Sequence, residues 1–115
     1  APRAYLKFAP RVAPVKAAVF PLLKNKPELV EKAREVYDML KQEIPQIAWD
    51  DNGNVGKRYR RQDEIGTPFC ITIDFDTLGE TADLKDTVTI RDRDTGTQER
   101  IAIGDLTKYI KGATL

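Results

Sequence analysis

Histidine is absent from the 115 residues. That excludes Ser-His-Asp and Cys-His nucleophilic machinery and most zinc sites. Cysteine occurs once, at Cys70, so neither an internal disulfide nor a CxxC redox pair can form, and a lone thiol suits a reducing compartment. No apolar run approaches the ~20 residues needed to cross a bilayer, and no membrane partner is expected. Residues 1–10 carry Arg3 and Lys7 but no apolar stretch of signal-peptide length, so no secretory signal is read there. Internal repeats and low-complexity segments are also missing.

What is present fits one soluble globular domain: 41% hydrophobic and 32% charged residues in a chain near the usual domain size. The net charge is +1, but it is unevenly spread. Residues 1–27 hold six basic side chains and no acidic one, and Lys57-Arg58-Tyr59-Arg60-Arg61 puts four cations in five positions. Residues 62–86 hold seven carboxylates against one lysine. Local cationic clusters on a nearly neutral chain suggest an oriented anionic partner. An unevenly charged, solvated surface would look the same.

Pro2, Pro10 and Pro14 mark residues 1–14 as an extended lead-in to one domain over 15–115. Lys16 to Phe20 reads as a buried strand ended by Pro21. Asn25, Pro27 and Glu28 form a helix start with Asn25 as cap. Leu29, Val30, Ala33, Val36, Tyr37, Leu40 and Ile44 then recur at helical spacing up to Pro45. Ile47–Trp49 fits a second strand, followed by a turn at Asp50-Asp51-Asn52-Gly53.

Asn54 can cap a second helix running to about Ile65, with Gly66 as its left-handed stop. Its apolar face is thin: Val55, Tyr59 and Ile65. Phe69 to Phe75 is a strand covered on both faces. Residues 76–86 read as a polar loop. Thr87 to Arg93 alternates, with Val88 and Ile90 on one face and Arg91 and Arg93 on the other. Asp94-Thr95-Gly96-Thr97 is a hairpin turn leading to a strand over 97–103. A closing helix is read over Gly104–Lys111, capped by Asp105 and stopped by Gly112. Two βαβ units make strands one to three parallel, and the short later links require an antiparallel member.

Few motifs point to small-molecule chemistry. Gly53-Asn54-Val55-Gly56-Lys57-Arg58 fails as a phosphate loop because its glycines are too close and Arg follows Lys57. Asp74, Asp76 and Glu80 match no calcium-loop spacing and read as solvated loop residues, so no metal site is expected. Trp49 and Phe69 read as core. Phe75, at a strand end where ligands collect in open α/β sheets, reads as core or as a stacking platform.

The sharper constellation joins Lys57 through Glu64 with Arg91-Asp92-Arg93-Asp94. Arg donates to phosphates and base acceptors, while a carboxylate accepts from exocyclic amines. An Arg with a carboxylate therefore complements the edge of an unpaired cytosine. Asp92 and Asp94 fall in phase with Val88 and Ile90, so they must lie past the covered sheet or be paired, because an unpaired buried carboxylate is costly. The same groups read equally well as an internal salt-bridge lattice joining helix two to the hairpin.

Asp50-Asp51-x-Gly53-x-Val55-Gly56-Lys57-Arg58-Tyr59-x-Arg61-x-Asp63-Glu64-Ile65-Gly66-Thr67-Pro68-Phe69 resembles the C-terminal anticodon-binding domain of class II aminoacyl-tRNA synthetases, and within that group glycyl-tRNA synthetase. Pro10–Pro14, Val19–Leu22, Thr72–Asp76 and Val88–Asp94 extend the likeness over nearly the whole chain. The resemblance implies a three-layer α/β/α fold with a five-stranded mixed sheet and three helices. It also implies a fragment whose parent is a cytoplasmic homodimer joining glycine to its tRNA with ATP and magnesium. Neither cofactor nor catalytic residue is expected in the fragment, which could be monomeric by itself.

Glycine tRNA, with cytosines at the second and third anticodon letters, is the expected partner. Base readout is assigned to Arg91 and Arg93, supported by Arg58 and Glu64. Backbone contact is assigned to Lys57, Arg60, Arg61 and Arg11. The alternative is a non-catalytic protein-interaction domain, as in the accessory subunit of mitochondrial DNA polymerase, which shares the fold.

Overall fold

The computed structural model describes residues 15–114; the lead-in over 1–14, with Arg11, lies outside the described residues. The elements are β1 (Ala17–Pro21), α1 (Pro27–Glu43), β2 (Ile47–Trp49), α2 (Val55–Glu64), β3 (Phe69–Ile73), β4 (Thr87–Asp92), β5 (Gln98–Ala102) and α3 (Leu106–Thr114). Short 3-10 turns occupy Ala82–Leu84 and Ile103–Asp105.

The five strands form one sheet in the order β2-β1-β3-β4-β5. β1 pairs in parallel with β2 and β3, while β4 runs antiparallel to both of its neighbours. This matches the expected mixed sheet with one antiparallel later strand. The crossovers β1-α1-β2 and β2-α2-β3 step in opposite directions across the sheet, so with the usual right hand their helices fall on opposite faces.

The period-2 alternation of β1 carries that division into the core. Ala17 and Val19 join Phe69, Ile71, Ile73, Val88 and Ile90 beneath Leu29, Ala33, Val36 and Leu40 of α1 and Leu106 and Ile110 of α3. Ala18, Phe20 and Cys70 face the other way and pack with Tyr59 of α2. β3 is buried along its whole length because it has a helix on each side. Phe69 meets Tyr109 edge-on, with centroids 5.6 Å apart.

Among the described residues, β2 has β1 as its sole sheet neighbour. The Ile47 carbonyl on its free edge accepts the Lys41 ammonium at 3.1 Å. Trp49 lies under the Arg34 guanidinium, 4.0 Å from the ring centre, and meets Tyr37 edge-on.

Several boundaries differ from the sequence reading. β1 is shifted by one residue, and Pro21 is its last member, paired with Ile73. The cap of α1 is Lys26 without a side-chain bond, not Asn25; Pro27 at the first helical position already supplies the helical φ. Asp105 sits in the 3-10 turn before α3, and Gly112 is carried inside α3 rather than ending it. Gly66 behaves as read, with φ of +84° after α2.

Candidate nucleic-acid interface

α2 starts where Asn54 caps it, its side chain accepting from the Lys57 amide at 2.9 Å. Its inward stripe is unusual. Residues 58, 59 and 62 share one helical face, which places Arg58 and Gln62 beside Tyr59. Arg58 is 1% exposed and Gln62 is buried.

The Arg58 guanidinium donates to the Pro21 carbonyl and, at 3.1 Å, to the Gly53 carbonyl. It lies 5.3 Å from the Phe20 ring. Burial lowers its pKa, partly offset by Asp50 and Asp51. Pro21 closes β1 and Gly53 precedes α2, so Arg58 joins two loops at the carboxyl ends of the parallel strands. Assigned to base readout from the sequence, Arg58 instead directs its guanidinium to internal backbone carbonyls.

Asp50 organises the same corner. It is 8% exposed and accepts from Arg61 through Nε at 3.0 Å and Nη2 at 3.2 Å. It also accepts from Gln62 at 2.9 Å and from the Asn52 amide at 3.2 Å. Gln62 in turn accepts from the Thr67 hydroxyl at 2.7 Å. The chain Asp50–Gln62–Thr67 thus ties the exit of β2, the end of α2 and the entry of β3. The sequence reading took Asp50 as a simple turn residue. Arg61 remains partly solvent-exposed while holding Asp50 and the Asn52 carbonyl.

On the outer side of α2, Lys57, Arg60 and Glu64 are exposed. Among the described residues their side chains have no partner. Ile65, read as apolar face, is 46% exposed. One turn along from Arg60, Asp63 receives a fork from Arg91 of β4, with Nη1–Oδ1 at 2.9 Å and Nη2–Oδ2 at 3.2 Å. The same guanidinium lies 4.9 Å from the centre of the Tyr59 ring. The Asp63 hydrogen bond raises the Arg91 pKa against the opposing effect of burial. The Tyr59 hydroxyl bonds Thr72 at 3.1 Å.

At the hairpin, Asp92 accepts from the amides of Asp94 at 2.8 Å and Thr95 at 3.2 Å. It is the last residue of β4, opposite Phe69, and its carboxylate is satisfied by these backbone donors, which fixes the turn. Arg93 turns back to the Gly66 carbonyl and to Asp94. Beyond α2's cover, Arg100 of β5 pairs with Asp74 and donates to the Thr87 and Thr89 hydroxyls. Asp74 also accepts the Thr77 amide and hydroxyl, a structural role for a residue the sequence reading placed in a solvated loop. The Phe75 ring packs against the α1–α3 core, on the opposite side of the sheet from Tyr59.

Both readings of the charged cluster therefore meet in one place. Arg58, Arg61, Arg91 and Arg93 all have internal partners, whereas Lys57, Arg60 and Glu64 stay open on the outer side of α2, with Arg60 one turn from Asp63. Among the described residues no helix is long and apolar enough to cross a membrane, and no group of three or more His, Cys, Asp or Glu side chains could hold a metal.

A mixed α/β sheet thus carries, on its α2 face, an Arg–carboxylate pair with exposed cations on the same helix. The chain belongs to the anticodon-binding domain family, whose model matches residues 16–113. It is 46% identical over 114 residues to the glycine--tRNA ligase of Thermus thermophilus and 48% over 114 residues to that of Deinococcus radiodurans. It is 52% identical over 109 residues to that of Clostridium kluyveri. Each match covers 95% of this chain but 22% of the relative, so the chain spans about a fifth of the length of the curated relatives it matches.

Proposed function

We propose that this chain reads the anticodon of a glycine tRNA, taking cytosines at the second and third letters. It does so as the C-terminal domain of a cytoplasmic, homodimeric enzyme that ligates glycine to tRNA. ATP and magnesium would act in the part of that enzyme outside this chain. Family membership supplies the general role. The observation that carries the base reading is the Arg91–Asp63 fork beside the open side chains of Lys57, Arg60 and Glu64.

A guanidinium and a carboxylate held side by side offer donors and acceptors together, as the edge of an unpaired cytosine requires. Lys57 and Arg60 are placed to neutralise phosphates flanking such bases. Arg61 and Arg93 shape the corner through their internal partners. Glu64, one helical turn from Arg60, supplies a second acceptor at the rim.

The test compares a glycine anticodon stem-loop with one in which both cytosines are changed. Tighter binding of the first at moderate salt is expected, with log affinity falling by ~0.7 per phosphate contact against log salt. Equal affinity for both stem-loops, with a concentration-dependent mass in solution, would favour the protein-interaction role instead.

A further inference from the structure

Asp63 stands apart from the other carboxylates of the cluster in what it leaves available. A guanidinium carries five N–H donors in one plane, and a carboxylate has about four acceptor sites. The fork uses two donors of Arg91 and one site on each Asp63 oxygen. Among the described residues, the remaining donors of Arg91 have no partner. Both side chains are about one-fifth exposed, 19% for Arg91 and 21% for Asp63.

The plane of the guanidinium is set from two directions. Asp63 fixes it in rotation, and the Tyr59 ring supports its face. Tyr59 is itself held by Thr72 and by Phe20, 5.6 Å away and tilted by 59°. The supports come from three elements: Asp63 and Tyr59 from α2, Thr72 from β3 and Phe20 from β1. Arg58 shows the contrast, since its guanidinium is sealed inside the domain.

We infer that Asp63 is a positioning and specificity-determining residue: it locks the Arg91 guanidinium in one plane and presents, with it, a joined donor–acceptor edge to a base. The inference rests on the anticodon reading above and adds to it a specific role for Asp63, fixing the Arg91 plane and rejecting the wrong pyrimidine. A lone arginine at position 91 would attract any phosphate or any base acceptor. The fork removes its freedom to rotate and places carboxylate oxygens where a carbonyl-bearing base edge would be repelled. Discrimination against uracil, which offers a carbonyl where cytosine offers an amine, follows from that placement.

The experiment measures affinity of the 115-residue chain for the glycine anticodon stem-loop and for the same loop with the two cytosines changed to uracil. Wild type, Asp63→Asn, Asp63→Glu and Arg91→Lys are compared, with thermal melting of each to establish folding. A good bidentate contact is worth about 5- to 150-fold between right and wrong base. Asp63→Asn and Arg91→Lys are expected to lose most of that ratio by weakening the cytosine loop, while the uracil loop changes little. Asp63→Glu, which can rebuild the fork, is expected to recover part of the ratio.

A folded Asp63→Asn chain with the wild-type ratio would overturn the inference while leaving the anticodon reading intact. So would an equal loss for both loops, the signature of a simple strut between α2 and β4. A wild-type chain with no preference would overturn the anticodon reading itself, and this inference with it.

Discussion

Arg58→Ala should unfold much of the domain's stability reserve, and Arg58→Met should separate the reasons. The side chain is 1% exposed, with its guanidinium on two backbone carbonyls from different loops. Hydrogen bonds from a charged donor contribute about 1.5–3 kcal/mol each, so the pair is worth about 3–6 kcal/mol. Removing a buried cation also returns its desolvation cost, which offsets part of that loss and leaves about 3 kcal/mol for Arg58→Ala. Methionine keeps most of the apolar stem against Phe20, so Arg58→Met should recover about 1 kcal/mol of packing but not the carbonyl bonds. Urea unfolding followed by far-UV circular dichroism measures both. Losses below about 1 kcal/mol for both variants would refute the assignment of Arg58 to the fold. A stable Arg58→Ala chain with weakened RNA binding would return this residue to base readout.

Three further outcomes follow from named contacts. Burial alone would raise the Asp74 carboxyl, but bonds from Arg100 and Thr77 outweigh it and hold its pKa below the usual range. Its ionised form therefore stabilises the fold above the unfolded value of about 3.9, and that contribution fades as pH falls through the folded value. The stability gap between wild type and Asp74→Asn should be present at pH 6 and shrink below about pH 4 in urea titrations; a gap that widens in acid would contradict it. Burial pushes the Cys70 thiol up to about 12, so it should resist thiol reagents at pH 8 until the chain unfolds; native-state labelling at the rate of a free thiol would count against its packing under Tyr59. Lys57→Ala and Arg60→Ala should each lower the salt slope of RNA binding by ~0.7 with stability unchanged within about 0.5 kcal/mol; an unaltered slope would remove that side chain from phosphate contact.

The fold was legible where local pattern and tertiary demand agree. The unbroken apolar run of β3 announces burial on both faces, and the Leu29–Leu40 periodicity announces α1. The alternation in β4 separates Val88 and Ile90 from Arg91 correctly. Caps were less legible, because Asn25 and Asp105 have the right chemistry one or more residues from where packing starts the helix.

Arginine roles were the least legible. The partner of Arg58 is a carbonyl 37 positions away, which composition cannot reveal. Yet a signal existed: Tyr59 marks the inward face of α2, and that face must include positions 58 and 62. Reading the face before the charge would have placed Arg58 and Gln62 inside. Asp50 carried no such mark, since a carboxylate before Asp-Asn-Gly looks like any turn.

The Lys41 side chain has a consequence at the rim of the sheet. An open strand edge invites the backbone of another molecule to continue the ladder, and a short β2 with bare carbonyls would be such an invitation. By occupying the Ile47 oxygen with an ammonium, and by laying Arg34 across Trp49, α1 puts positive charge where a foreign strand would have to dock. A strand approaching this border would have to displace the Lys41 ammonium from the Ile47 carbonyl before it could continue the ladder.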